Sequence, residues 1–584
     1  MLKPQVVKRA VLQNGNFCRP QDATIPKNPK TPIPQTPLNS NTVRVLLIDN
    51  HDSFTYNLAH LVFRAAGVMP EVVLAEDVTP EHLNNADRII VSPGPGRPEE
   101  YPWFPGIFRD PPAPVLGVCL GFQGMCMAFG ATLERAAHPR HGEVTEGHTR
   151  YHSLAITDLP ETLEATEFAA DGTLMAARHR SLPISGVQYH PESVASSGGL
   201  ALMREFLAPH LWVQPVSGSP EEFITCFADE ENVAWLDSSD GSGWSFLCTG
   251  DTVGPIRSSS PLGQVGVITY EGEERFIEVT RAIVVSPTGA AWALGTAPWE
   301  PTFTAPPSCA PLPRTPRTFR FGRAAYLDKI KACQEFIARG DSYELCLTNS
   351  ISFDFPADPL AVYLSLRRAH PSPFAAYLRL SGTEVLSTSP ERFLRLVDAH
   401  LEAKPIKGTR PRGRSPKEDK ELARDLATSV KDRAENLMIC DLLRNDLGRV
   451  AVPGSVQVPV LCGVESFATV HQLVSTITAE LLPGKTPVDA LRAAFPGGSM
   501  TGAPKERSME ILDELEEHHP RGIYSGAIGY ITAEGTMDFS IVIRTIVVKD
   551  GVATYGCGGA ITRLSDPEEE WQEILVKSRP ILNS

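Results

Sequence analysis

A cysteine, a histidine and a glutamate stand in the first third of the sequence where acyl-transfer chemistry could be done. Cys119 lies in Gly117-Val118-Cys119-Leu120-Gly121, an apolar run that turns through small residues into a helix-like stretch. A nucleophile at such a turn projects from a tight elbow, and the helix N-terminus beyond it favours a thiolate. His190 and Glu192, in VQYHPES, follow another apolar run. An imidazole there could serve the thiol as base, with a carboxylate two residues on to orient the ring. SPGPG (92–96) adds a turn whose backbone N–H groups could stabilise an oxyanion. Taken singly, Cys119 would read as a small core hydrophobe; the set points to catalysis. Farther along, Glu570 and Glu573 are spaced i,i+3 and share one face of a helix. With Glu435 they could offer hard oxygen ligands to Mg²⁺, which takes few carboxylates together with water and substrate oxygen. On residue type alone these glutamates would more readily be a solvated acidic face than a metal site.

The elements needed to hold the first set are legible. VRVLLID, RIIVSPGPG and APVLGVCLG are short apolar runs that each end in a polar or glycine-containing turn, with a helical stretch such as FTYNLAHLVFRAAG between them. That alternation predicts an open, mainly parallel α/β sheet with function at the carboxyl ends of its strands. The pattern closes near Pro209, and WVQPVSGSPEE (212–222) reads as linker. Beyond it the sequence changes to many β-like runs and longer helices, including AENLMICDLLRNDLG (434–448) and the strand-rich YSGAIGYITAEGTMDFSIVIRTIVV. These predict a large α+β domain. The expected organisation is a disordered leader over 1–42, an α/β domain over 43–208, a linker over 209–222 and the α+β domain over 223–584.

Bulk properties exclude several classes. A chain of 584 residues is too long for a single core, and 42% hydrophobic with 21% charged residues is ordinary for a soluble protein. The net charge of -15 argues against a nucleic-acid or anionic-membrane surface, since both demand basic patches. No apolar run approaches the ~20 residues that span a bilayer. Eleven scattered cysteines without a CxxC pair fit reduced thiols in a cytoplasmic protein better than disulfides or zinc.

IDNHDSFTYNL, SPGPG, GVCLG, RYHSL and VQYHPES together resemble the class I glutamine amidotransferases, over roughly residues 43–208. The resemblance implies that Cys119 attacks the glutamine carboxamide to give a γ-glutamyl thioester and ammonia. His190 would be general base and acid, and Glu192 would orient it. The backbone N–H groups of Gly94 and Leu120 would form the oxyanion hole, and Gln123 would help hold glutamine. Phe122 stands where relatives commonly have histidine, and the segment between His141 and Arg150 is shorter than in many of them.

The remaining sequence resembles the chorismate-utilising enzymes, through LSTSPERFL, PIKGTRPRG, KDRAENLMICDLLRNDLGRV, FATVHQLVSTI, FPGGSMTGAPKERSMEIL, RGIYSGAIGY, IVIRT and GCGGAITRLSDPEEEWQEILVKS. Within that family anthranilate synthases typically read PIAGT and aminodeoxychorismate synthases PIKGT; here Lys407 occupies the deciding position. By composition Lys407 would be a surface lysine in a basic loop with Lys404, Arg410 and Arg412, and the motif register outweighs that. The resemblance implies that Lys407, buried and therefore neutral, attacks C2 of chorismate while hydroxide leaves C4, so that ammonia then adds at C4. Glu391 in SPERF would protonate the leaving oxygen, and His471 in TVHQL would lie beside it.

Arg544, Tyr524 and Lys577, with Thr409 and the backbone of Gly558, Gly559 and Ala560, would receive the substrate carboxylates. Glu435, Glu570 and Glu573 would hold Mg²⁺, with Glu435 and Glu573 the stronger pair. Isochorismate and salicylate synthases carry a lysine base at the position of Glu344, so water-adding chemistry is disfavoured. The expected activity is a glutamine-fed amination of chorismate at C4, toward p-aminobenzoate and folate, with an enclosed passage for ammonia and an aminodeoxychorismate lyase acting next. Anthranilate formation is the alternative, and a catalytically silent scaffold would be expected to have lost these residues. Leu236-Asp237-Ser238-Ser239 resembles the motif near which anthranilate synthases bind tryptophan. A monomer is favoured.

Overall fold

The computed structural model describes residues 43–208, 211–251, 253–256, 261–467 and 470–582. The expected leader, 1–42, lies outside the described residues. The chain divides into two compact units at residues 209/210.

The first unit is built on a seven-stranded sheet. Glu71–Leu74, Val45–Asp49, Arg88–Val91, Val115–Val118 and Ile184–Val187 run parallel in that spatial order, and Leu174–His179 and Leu163–Phe168 continue it antiparallel. The central strands Arg88–Val91 and Val115–Val118 are buried along their whole length, as two-sided coverage requires. One apolar core lies on each face: Thr55–Ala66 and Gly199–Leu207 cover one side, Phe104–Arg109 and Leu120–Ala128 the other. The three strands and the helix expected for this region stand where the apolar runs placed them.

The second unit packs two antiparallel sheets face to face, of twelve and ten strands among the described residues. Ala234, Cys248, Leu378 and Val385 from the larger sheet meet Val265, Ile277 and Ile528 from the smaller in a shared core. Helices close the outer faces. Arg323–Ala338, Pro359–Ala369 and Pro567–Lys577 pack on the larger sheet, and Val430–Gly448 on the smaller. The helix expected over 434–448 begins earlier, at Val430, because Ser429 accepts a hydrogen bond from the Asp432 amide and caps it there. Pro567–Lys577 is likewise capped by Asp566, which accepts from the Glu568 and Glu569 amides.

The segment expected as a linker is built into this unit instead. Trp212–Val216 forms an edge strand against Ala291–Gly295, and Pro220–Phe223 is a short capped helix whose Phe223 is fully buried. Pro215 is tolerated because an edge strand has one row of backbone groups without ladder partners. No helix among the described residues is long and apolar enough to cross a membrane.

Candidate active sites

Cys119 occupies the turn between Val115–Val118 and Leu120–Ala128, with φ 50° and ψ −98°. That is strained for a residue with a Cβ, and such strain persists only where the surroundings over-determine it. The surroundings do: a Cβ placed at Gly121 would come 2.4 Å from the Val91 carbonyl oxygen, so the helix can approach the sheet only through glycine. His190 lies just past Ile184–Val187, the strand next to the one that ends at Cys119, so two adjacent strand ends bring thiol and imidazole together. His190 shares a hydrogen bond with Cys119. Its Nδ1 donates to Glu192 Oε1 at 2.6 Å, and both side chains are buried. Burial works against charge on the ring, but the bonds to Cys119 and Glu192 outweigh it and push His190 up to about 10. Tyr151 and Phe54 meet the ring edge-on, at 5.0 and 5.7 Å between centroids.

Gly94 packs closely on Asn50 and Leu120, so the SPGPG turn abuts the first turn of the helix that follows Cys119. Gln123 donates to Gln188 Oε1 at 3.1 Å, and Gln188 Nε2 lies 3.6 Å from Cys119 Sγ. Gln188 was not singled out from the sequence, although it sits in the VQYHPES motif that supplied His190. The arrangement of a thiol, a charged imidazole and an orienting carboxylate suits attack on a carboxamide.

The second centre is a cavity of about 680 Å³ in the second unit. Of the residues singled out, Lys407, Glu391, Thr409, Tyr524, Arg544, Gly558, Gly559, Ala560, Lys577, Glu435 and Glu573 all line it. They come from strands of both sheets and from two helices. Arg544 marks the point where the chain passes from Met537–Ile541 in the smaller sheet to Thr545–Lys549 in the larger, and it does so at φ 51°. Lys577 Nζ donates to the Gly558 carbonyl at 2.7 Å and pairs with Glu573 Oε1 at 2.7 Å.

Glu391 is buried, and burial pushes its carboxyl up to about 7 against the opposing pull of Lys407 and a hydrogen bond from Ser499. A carboxylic acid that keeps its proton near neutrality is equipped to donate it.

Three expectations need correction. Lys407 is not a neutral amine: its Nζ donates to Glu344 Oε1 at 3.0 Å, with the two side chains 11% and 1% exposed. Burial opposes the charge, but Glu344 and then Glu435 outweigh it and hold the group above the ordinary lysine value. His471 does not line the cavity, whereas its neighbours Val470 and Gln472 do. Side chains alternate along the strand Val470–Glu480, and His471 points to the other face, where Asp419 Oδ1 lies 3.0 Å from Nε2 and Ser466 Oγ 2.7 Å from Nδ1. Glu570 is buried but also stands off the cavity wall, held by Lys431 at 2.9 Å.

Among the described residues no three acidic, imidazole or thiol side chains converge closely enough to enclose a cation unaided. The donors nonetheless fit Mg²⁺, which asks for one or two carboxylates and completes its shell with water and substrate oxygen. Glu435 Oε1 is buried with no hydrogen-bond partner. A Cβ at Gly559 would lie 3.2 Å from Glu570 Oε2 and 3.8 Å from Glu573 Oε1, so glycine leaves the space before both carboxylates open.

A separate cavity of about 350 Å³ is lined in part by Leu236, Asp237 and Ser238 of the LDSS motif. Asp237 is neutralised there by Arg367 at 2.5 Å.

Comparison with known proteins follows the same division. Residues 46–209 match the class-I glutamine amidotransferase family, and residues 297–583 match the chorismate binding enzyme family. The chain is 40% identical to an aminodeoxychorismate synthase of Streptomyces griseus, across 92% of this chain and 95% of that one. It is 36% identical to an aminodeoxychorismate synthase of Streptomyces pristinaespiralis, across 93% and 96%. Among solved structures, the menaquinone-specific isochorismate synthase of Escherichia coli superposes with a TM-score of 0.55 at 18% identity, over 64% of this chain and 94% of that one, which shows a shared fold. With near-complete coverage at these identities, and an amidotransferase unit joined to a chorismate-binding unit, the chain belongs to the aminodeoxychorismate synthase family.

Proposed function

We propose that the first centre releases ammonia from L-glutamine and that the second uses it to replace the C4 hydroxyl of chorismate, giving 4-amino-4-deoxychorismate for p-aminobenzoate and folate synthesis. The observation that carries this reading is Lys407 at the cavity wall, in the PIKGT register, with a carboxylic acid, Glu391, that keeps its proton near neutral pH lining the same cavity.

In the first centre, Cys119 Sγ attacks the carboxamide carbon while the amides of Gly94 and Leu120 receive the developing oxyanion. His190, held by Glu192, gives its proton to the departing ammonia and then activates water against the thioester. In the second, Arg544, Tyr524 and Lys577 with the backbone at Gly558, Gly559 and Ala560 seat the two carboxylates, and Thr409 lies beside them. Arginine's planar fork suits a carboxylate bidentately. Lys407 Nζ forms a bond to C2, the diene electrons shift around the ring, and the C4–O bond breaks as Glu391 donates its proton, so water leaves. Ammonia then bonds to C4, the electrons shift back, and the C2–Nζ bond breaks. Nitrogen therefore ends on C4.

Glu435 and Glu573 would hold Mg²⁺, with Glu570 behind them; bound there, the ion would offset substrate carboxylate charge. The product carries an enolpyruvyl group still to be lost, which calls for a lyase next.

Mass spectrometry of the products from chorismate, glutamine and Mg²⁺ tests the reading. Aminodeoxychorismate is expected as the main product, and anthranilate as the main product would defeat it.

A further inference from the structure

We propose that Glu344 is the proton acceptor that turns the Lys407 ammonium into the amine that attacks chorismate, an inference that rests on Lys407 being the nucleophile. Glu344 opens the strand Glu344–Asp354 and is fixed from both sides: its own position pairs with Ala503, and the next residue, Leu345, pairs with Ile561. Its side chain is 1% exposed, with Oε1 3.0 Å from Lys407 Nζ. Oε2 has no hydrogen-bond partner.

That last fact separates an acceptor from an anchor. An ion pair taken out of water recovers its desolvation cost only when the remaining lone pairs are also satisfied, so a half-satisfied buried pair is a poor structural device. Moving one proton across a 3.0 Å hydrogen bond neutralises both partners at once, the cheapest change available to a pair in a low-dielectric site. The other charged and titratable groups around the pair are the carboxyls of Glu391, Glu435 and Glu573, the thiol of Cys346, and the cations of Lys431, Lys577 and Arg521. Among the described residues, Glu344 alone of these has a hydrogen bond to Nζ. Burial, the first influence on Lys407, favours the neutral amine, whereas Glu344 and Glu435 favour the ammonium. An acceptor is therefore required before attack, and it must lie within reach.

The balance closes. The Lys407 proton passes to Glu344, the amine bonds to C2 and becomes an alkylammonium, and the C4 hydroxyl leaves as water with the Glu391 proton. When ammonia takes C4, Nζ departs as a free amine and recovers its proton from Glu344. The new C4 ammonium returns a proton to Glu391. No outside oxidant, reductant or base is consumed.

The test is the rate of covalent adduct formation at Lys407, read by quenched-flow mass spectrometry of the full-length chain with chorismate and Mg²⁺ and without an ammonia source. The useful range is about pH 5 to 6, where Glu391 keeps most of its proton. Glu344→Gln preserves the size and a hydrogen-bonding oxygen but accepts no proton. It should slow adduct formation roughly 10²–10⁴-fold at neutral pH, the usual span of general-base catalysis. Its rate should also climb about tenfold per pH unit as Lys407 sheds its proton to solvent, while the wild-type rate stays flat.

A Glu344→Gln variant with a flat profile, slow or fast, would overturn the proposal, because a group that only positions Lys407 changes the rate but not its pH dependence. Glu344→Asp, which keeps the carboxylate, should be slower than wild type and still flat; a rising profile there would overturn the proposal too. Failure of the underlying reading looks different. Wild-type protein would then form no adduct at any pH, and Lys407→Ala would still aminate chorismate.

Discussion

The two centres place charge beside their proposed nucleophiles in opposite ways. At Cys119 the charged partner is His190, and thiol and imidazole arrive on neighbouring strand ends. At Lys407 the partner is Glu344, an anion that steadies the unreactive ammonium. The first centre thus sets a cation beside its proposed nucleophile, whereas the second sets an anion that holds its proposed nucleophile as an ammonium. On the proposed mechanism, the amine at Lys407 has to be released only when the ring is seated. The difference also lies in construction: one strand–turn–helix and its neighbour build the first site, while the second draws on two sheets and two helices.

The comparison breaks most readily at the nucleophiles. Cys119→Ser should lower glutamine-dependent amination by about 10⁴-fold or more, as loss of a nucleophile that works as part of a unit does. Amination supplied with concentrated ammonium salt should persist. Loss of both activities in a folded variant would contradict the division of labour. Lys407→Ala should produce the converse, with glutaminase retained and aminodeoxychorismate lost, and weak anthranilate formation becomes open because C2 is then free for ammonia. Lys407→Arg should fail as completely, since a guanidinium stays protonated.

The next effect should come from the carboxylates. Glu435→Ala or Glu573→Ala should abolish amination while sparing glutamine hydrolysis, and a chelator should reproduce the pair of variants. Full amination by metal-stripped protein would remove Mg²⁺ from the account.

A smaller effect is set by Glu391. With a carboxyl at about 7, its protonated fraction falls as pH rises through neutrality, so adduct formation at Lys407 should decline above about pH 7. In Glu391→Gln that declining limb should vanish along with most of the rate. An unchanged limb would assign it to another group.

The smallest change sharpens the contrast in construction. Asp566→Ala removes the cap of Pro567–Lys577, the helix that carries Glu573 and Lys577, at a cost of about 1 kcal/mol. Amination should drop a few-fold with glutaminase untouched. Equal losses in both activities would mean that the centres are less independent than their elements suggest.

Reading the sequence alone anticipated the geometry that is written locally. The elbow at Cys119, the His190–Glu192 spacing and the PIKGT register each lie within a few residues, and the strands around the elbow announce themselves as apolar runs. It failed where the deciding partner is remote. Lys407 was expected to be neutral because burial was foreseen and Glu344, 63 residues away, was not paired with it. Glu570 was expected among the metal ligands because its spacing from Glu573 is visible, while the Lys431 that holds it is 139 positions off. His471 was placed beside the substrate by its motif, but alternation along Val470–Glu480 turns it toward Asp419. The supposed linker at 212–222 looked like a connector because its proline and glycine suit an edge strand equally well, and the strand it joins, Ala291–Gly295, lies far along the chain.

The crossing at Arg544 has a mechanical consequence. The chain leaves the smaller sheet at Ile541 and enters the larger at Thr545, so three residues tie the two layers like a stitch through cloth. Neither layer can peel away without dragging the other's edge of the cavity with it. Slow amide exchange in Met537–Ile541 and Thr545–Lys549 should therefore report one shared opening event, and the chorismate cavity should melt all at once rather than layer by layer.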